Sequence, residues 1–239
     1  MIKNEKSRQI MSVFIKLAVA FFASWGLIEC FFASGFMGGS SLILYFTMQS
    51  NIWIAVADII IAAFQIKSIK DGTYALNPKI YLIQQVFTVS ITLTGCVFCF
   101  VLLPAFAAQG ADMMRVVTAH EQIFLHVVTP LLAVFDLLVF TRRSSFKKGQ
   151  FLWAAIPPLY YLFFAMIGYF AKWDFGGGNN YPYFFFNYGS PAGVFGFSDE
   201  MPYFMGSFYW IAVLVVFVLS VSALYIAIIN RRIKKLPKE

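Results

Sequence analysis

Hydrophobic and polar positions alternate along this chain on the scale of whole helices. Six long apolar blocks, at about residues 10–32, 42–66, 80–103, 120–141, 150–171 and 207–230, are separated by polar or turn-forming stretches. A helix needs about 20 apolar residues to cross a bilayer core of about 30 Å, and each block supplies that length. The pattern predicts an all-α, polytopic integral membrane protein with six transmembrane helices in a single domain over 1–239. The first block is longer than the apolar core of a cleaved leader, and no small-x-small cleavage site precedes a mature domain, so it is expected to remain as the first span. No repeat, heptad, nucleotide-binding glycine motif or second soluble domain interrupts the series.

Composition agrees with this reading. Hydrophobic residues make up 60% of the chain and charged ones only 12%, about half the share of an average soluble domain. The formal charge of +7 could point to nucleic acid, but its placement argues otherwise. Basic residues gather in "MIKNEKSR", in "KSIK" (67–70) with Lys79, in "RRSSFKK" (142–148) and in "RRIKKLPK" (231–238). Counting Lys16 with the first group, 16 of 18 Lys and Arg flank one set of block ends, and only Arg115 and Lys172 lie opposite. That asymmetry is the positive-inside pattern. It predicts a multi-pass protein of the cell (plasma or inner) membrane with both termini cytoplasmic, and no nucleic-acid partner. The outer loops are then about 33–41, 104–119 and 172–206.

The three cysteines, Cys30, Cys96 and Cys99, all fall inside apolar blocks without a zinc-type spacing, so packing is the expected role and no metal or cofactor is called for. The third outer loop is unusual. In "KWDFGGGNNYPYFFFNYGSPAGVFGFSDEMPYF" three glycines and two asparagines break helix, while Tyr181, Tyr183, Phe184, Phe185, Phe186 and Tyr188 are too apolar for a solvated linker. Two accounts stand: an aromatic belt at the membrane interface, or a lid over a pocket that opens outward.

Candidate chemistry comes from polar residues inside the spans, which should face the bundle because hydrocarbon offers no hydrogen-bond partner. In "LYFTMQSNIW" (44–53), Thr47, Ser50 and Asn51 share one helical stripe with Asp58, and Gln49 lies off it. In "HEQIFLHVVTP", His126 shares a stripe with Gln122 and Thr129. With the second block entering near residue 42 and the fourth near 120, Thr47 and His126 fall at similar depth below the outer surface, about 7–9 Å at 1.5 Å per residue. A hydroxyl beside an imidazole is the arrangement nucleophilic acyl transfer requires, since the base removes the hydroxyl proton. Ser50, Asn51 and Gln122 are candidate oxyanion donors. Glu29 is either a third member orienting the histidine or an interface residue, and His120 is a loop-edge residue. Gln85, Thr88 and Thr92, followed by Gly95 or Cys96, form a face that glues helices. Asp58 and Asp136 lie nearer the inner end, as partners for hydroxyls, Gln or basic groups, or as a proton or cation path.

Four stretches, "YFTMQSN" (45–51), "LHVVTPLLAVFD" (125–136), "PPLYYLFF" (157–164) and "YPYFFF" (181–186), occur in an order that resembles the bacterial six-pass relatives of the androgen-induced and androgen-dependent TFPI-regulating proteins. The resemblance covers about residues 10–230. It implies a membrane threonine hydrolase of fatty acid esters of hydroxy fatty acids, with Thr47 as nucleophile and His126 as base. The substrate pocket would use Tyr160, Tyr181, Tyr183 and Phe184, and the partner would be a membrane lipid or acyl ester. The chain departs from the animal members in the surroundings of His126 and in the more polar "TMQSN". The alternative is a small-solute or lipid transporter, or a lipid-binding membrane protein, without hydrolase activity.

Overall fold

The structure, a computed structural model, describes residues 5–33, 41–74, 76–141 and 146–234. The first outer loop thus lies almost wholly outside the described residues, as do parts of the basic runs at 1–4, 142–145 and 235–239. Among the described residues, six helices are long and apolar enough to cross a membrane. They are α1 (Glu5–Ala33), α2 (Phe46–Lys70), α3 (Pro78–Ala108), α4 (His120–Phe140), α5 (Gln150–Phe170) and α6 (Ser207–Lys234). Among the described residues there is no strand, only one isolated bridge between Phe197 and Met205. Phe14, Phe32, Phe100, Leu131 and Val216 are among the large apolar side chains exposed on helix exteriors, as expected of helices that face lipid.

The helices run up and down, so one end of the bundle gathers the starts of α2, α4 and α6 with the loop at 171–206. The opposite end carries Lys67, Lys70, Arg231, Arg232 and Lys234 in the last turns of α2 and α6. The helix expected from residue 42 starts at Phe46 instead. Residues 41 and 42 are helical and 43–45 form a turn before it, with Leu44 and Tyr45 N–H bonded to the Ser41 and Leu42 carbonyls, and Tyr45 is extended at φ −82°, ψ 143°. Thr47 therefore lies in the first turn of α2 rather than a turn and a half deep. Gln49, off the inward stripe, donates to the Ile43 carbonyl at 3.1 Å and ties this turn to the helix.

Two prolines reshape the backbone. Pro104 and Pro130 have no N–H to give the carbonyl four residues back, and their rings crowd it. Each is preceded by a π-helical turn, Phe98–Leu102 in α3 and Phe124–Val128 in α4. Such single-turn widenings inside α-helices concentrate at functional sites.

Lys16 belongs to the bundle interior and not to the basic end. It is 2% exposed and donates both to the Asp136 carboxylate and to Ser12 Oγ at 2.9 Å. Asp136 also accepts from Ser12 Oγ and from Gln84 Nε2, both at 2.6 Å. Three donors from α1 and α3 thus saturate one carboxylate on α4, and the network links these helices where hydrocarbon supplies no alternative partner. Asp58 is buried near it, with Oδ1 lacking a hydrogen-bond partner. Val19, Ile54, Ile91 and Ala133 pack as an apolar cluster. Along each helix this layer falls between the Asp136 network and the end that bears Thr47.

Removing one member of a buried ion pair costs about 3–5 kcal/mol, whereas an apolar pair of similar volume is close to neutral. Asp136→Ala is therefore expected to lower unfolding free energy in detergent by about that amount. The double change Lys16→Met with Asp136→Leu recovers most of it.

Candidate active site

Thr47 and His126 meet at the end of the bundle where α2 and α4 begin. Thr47 Oγ1 lies 3.4 Å from His126 Nε2. On the other side of the ring, Nδ1 is 3.1 Å from the Gln122 carbonyl one turn earlier. A carbonyl can only accept, so Nδ1 carries the proton and Nε2 presents its lone pair to the threonine hydroxyl. The tautomer is the one a general base needs.

The ring is also held by stacking. Phe98, in the π turn of α3, stacks on the imidazole with centroids 3.9 Å apart and planes at 16°. Gly95 lets α3 approach this closely: a Cβ there would lie 2.7 Å from the His126 carbonyl oxygen and 3.1 Å from Pro130. That carbonyl is one the proline leaves without its helical donor. The two π turns, the glycine and the stacked ring thus form a single joint between α3 and α4.

On α2, Asn51 Nδ2 donates to the Thr47 carbonyl at 2.8 Å and to the Leu125 carbonyl at 3.3 Å. Ser50 Oγ bonds Thr94 Oγ1 at 2.7 Å and reaches the Thr47 carbonyl at 3.2 Å. Both side chains, fully buried, lock the turn that carries Thr47 onto α3 and α4. Their donors are spent on the protein, so neither is aimed at an incoming carbonyl. Gln122 contributes its backbone oxygen to the histidine, and it also lines the neighbouring cavity.

The loop at 171–206 packs inward over this end. Asp174 Oδ1 accepts from the Gly176 and Gly178 amides at 2.8 and 3.1 Å, and glycines 176–178 all have positive φ, which turns the chain back sharply. Phe175 is fully buried against Gly168, where a Cβ would fall 2.5 Å from its ring. Tyr183, Phe185 and Phe186 follow it inward. The Tyr183 hydroxyl accepts from the Thr47 N–H at 3.3 Å and lies 3.4 Å from Thr47 Oγ1. Burial pushes the Tyr183 phenol up to about 12, with its hydrogen bonds to Thr47 pulling the other way, so it stays protonated at physiological pH.

Two spaces meet at Thr47. A cavity of about 1060 Å³ is lined by Thr47, His126, Gln122, Arg115, Tyr181 and Phe184, among others. A narrow apolar slot of about 70 Å³ runs between Leu93, Leu162, Phe186 and Leu214. Thr47, Leu102 and Tyr183 line both.

Other candidates lie apart from this centre. Glu29 accepts from the Trp25 indole at 2.8 Å on its own helix, and the nitrogen it could have oriented is taken by Gln122. Tyr160 is 51% exposed and packs on Trp53 and Phe164. Its neighbour Tyr161 holds the inward position, donating to the Leu44 carbonyl at 2.9 Å just before α2. In the "YY" pair the sequence does not say which ring turns inward. Phe98 and Tyr161 are site-forming residues that sequence reasoning did not select, and Gly95 was placed only on a face that glues helices. His120 starts α4, its ring 6.3 Å from that of Phe124. Compared with protein-family models, curated proteins and solved structures, the chain matches none of them.

Gly95→Ala forces a backbone shift at His126. It is expected to destabilise the fold by about 1–3 kcal/mol, the usual effect of overpacking, and to lengthen the histidine–threonine contact. Imidazole ¹⁵N shifts check this: the His126 Nε2 resonance moves toward the value of an unbonded nitrogen, while that of His120 stays in place.

Proposed function

We propose that this protein is an integral-membrane lipid ester hydrolase with Thr47 as nucleophile and His126 as general base. One observation carries the reading: Thr47 Oγ1 sits 3.4 Å from the unprotonated Nε2 of a histidine whose other nitrogen is held by a backbone carbonyl. Such loose contact is usual before substrate tightens the geometry. The family resemblance in "YFTMQSN" and "LHVVTPLLAVFD" supports the same pair and extends the proposal to a bacterial six-pass relative of the androgen-induced group.

In the proposed reaction, Thr47 Oγ1 attacks the ester carbonyl carbon as its proton passes to His126 Nε2. The carbonyl π pair moves onto oxygen, giving a tetrahedral oxyanion. Collapse breaks the bond to the alcohol oxygen, which takes the proton from Nε2, and leaves an acyl-threonine. Water then attacks the acyl carbon as His126 takes its proton, and collapse of this second tetrahedral species breaks the bond to Thr47 Oγ1, which takes the proton back from Nε2 as the free carboxylic acid leaves. The Nδ1–H bond to Gln122 holds the ring throughout.

The adjoining spaces suit an amphiphilic ester. The apolar slot fits part of an acyl chain, and the larger cavity, with Arg115 on its wall, fits a polar or anionic remainder. Fatty acid esters of hydroxy fatty acids have that form. With the basic-rich end cytoplasmic by the positive-inside rule, both termini lie inside and the site opens toward the outer leaflet of the cell membrane. A transport role for Asp58 and Asp136 has less support, because Asp136 is saturated by its donors and an apolar layer separates that network from the cavity.

Purified protein is expected to hydrolyse long-chain esters, and Thr47→Ala and His126→Ala each to lower turnover about 10³-fold or more while the helical fold, read by circular dichroism, is retained. Undiminished turnover in Thr47→Ala contradicts the proposal.

A further inference from the structure

The helix start at Phe46 leaves the Thr47 N–H without a partner inside α2, since the first amides of a helix have no carbonyl to bond. Its partner is instead the Tyr183 hydroxyl, at 3.3 Å. That oxygen is also 3.4 Å from Thr47 Oγ1. The phenol therefore accepts from the threonine amide and has one proton of its own to donate, while the threonine proton is directed at His126. Four hydrogen bonds then join five groups in one continuous chain of donors and acceptors: Thr47 N–H to the Tyr183 oxygen, Tyr183 O–H to Thr47 Oγ1, Thr47 O–H to His126 Nε2, and His126 Nδ1–H to the Gln122 carbonyl.

When Oγ1 bonds to a carbonyl carbon, the new oxyanion forms one carbon away from Oγ1. A donor already within 3.4 Å of Oγ1 is within reach of that position. Ser50 and Asn51 are committed to Thr94 and to backbone carbonyls. The neighbouring phenol of Tyr161 is committed to the Leu44 carbonyl. The Tyr183 ring is fixed by stacking on Phe185, centroids 5.2 Å apart, and by an edge contact with Tyr45 at 5.6 Å, so its oxygen is already in place and only the O–H has to rotate from Oγ1 to the oxyanion.

We propose that Tyr183 is a catalytic residue, the hydroxyl that donates a hydrogen bond to the oxyanion formed when Thr47 attacks an ester. It gives up no proton; the proton of Thr47 goes to His126, and the carbonyl electron pair on oxygen is stabilised by the phenol O–H. This inference rests on the hydrolase reading. It assigns the loop at 171–206 a chemical part as well as a covering one.

Losing one oxyanion donor lowers kcat by about 10²–10³-fold. Tyr183→Phe is expected to show that loss on a p-nitrophenyl long-chain ester, with KM within about threefold of the native value because ground-state binding is untouched. Affinity for an alkyl trifluoromethyl ketone, which forms a tetrahedral adduct, falls in parallel, while affinity for a non-hydrolysable ether analogue does not. Equal loss for both ligands, or full kcat in Tyr183→Phe, overturns the assignment. Incorporating 3,5-difluorotyrosine at position 183 keeps the hydroxyl and the ring while making the phenol more acidic. The alkaline limb of kcat then moves to lower pH, and a limb that stays in place also overturns the assignment. Thr47→Ala is measured alongside. If it retains full turnover, or the native protein shows none, the hydrolase reading fails and the role of Tyr183 with it. If Thr47→Ala is inactive and Tyr183→Phe is not, only the role of Tyr183 fails.

Discussion

Close approach of α3 and α4 at Gly95 governs the geometry of this molecule at the end where its polar side chains converge. A proline in α4 removes the amide that would satisfy the His126 carbonyl, and a π turn absorbs the crowding. The exposed carbonyl then faces the one position in α3 where a Cβ would fall 2.7 Å away and none is present. Because α3 carries its own π turn just beyond, Phe98 lands flat on the imidazole. The histidine is thus held by stacking, by its own backbone four residues earlier and by the widened turn, with Nε2 left as the free corner. Thr47 is carried to that corner by Ser50 and Asn51, whose side chains pin the first turn of α2 to both neighbours.

A second constraint operates at the other end. Asp136 draws Lys16, Ser12 and Gln84 together in the bundle interior. In water this network would contribute little net stability; in a bilayer its groups have no other partners, and it fixes the register of α1, α3 and α4. The apolar layer of Val19, Ile54, Ile91 and Ala133 then separates the ion pair from the threonine and histidine. Ionisable residues inside a membrane protein thus divide here into two groups with different work: one sets helix register, and the other borders a cavity.

Much of the fold was legible in the sequence. Six apolar blocks became six helices, and the ends of the fourth and fifth agreed to within a residue. The inward stripe of Ser50, Asn51 and Asp58 is buried as its period requires. The start of α2 was misplaced because a hydropathy pattern cannot distinguish a short apolar turn from the helix it precedes. That error matters chemically, since it hid that the Thr47 amide has no partner inside α2 and bonds Tyr183 instead. Lys16 was read as a boundary charge because its partner, Asp136, is distant in the chain and only packing brings the two together. Two of the oxyanion candidates, Ser50 and Asn51, were taken from the same stripe as Thr47, yet their donors are used in holding helices. The hydroxyl that does face Thr47 comes from a loop whose path over the bundle no periodicity encodes.

The central claim is that Thr47 is a nucleophile activated by His126. Reaction with a long-chain alkyl fluorophosphonate, followed by peptide mass spectrometry, addresses it most directly, because the reagent forms a stable adduct with an activated hydroxyl. The account predicts a single adduct on the peptide carrying Thr47, absent in His126→Ala. An adduct on another residue, or labelling of Thr47 that is unchanged without His126, would contradict it.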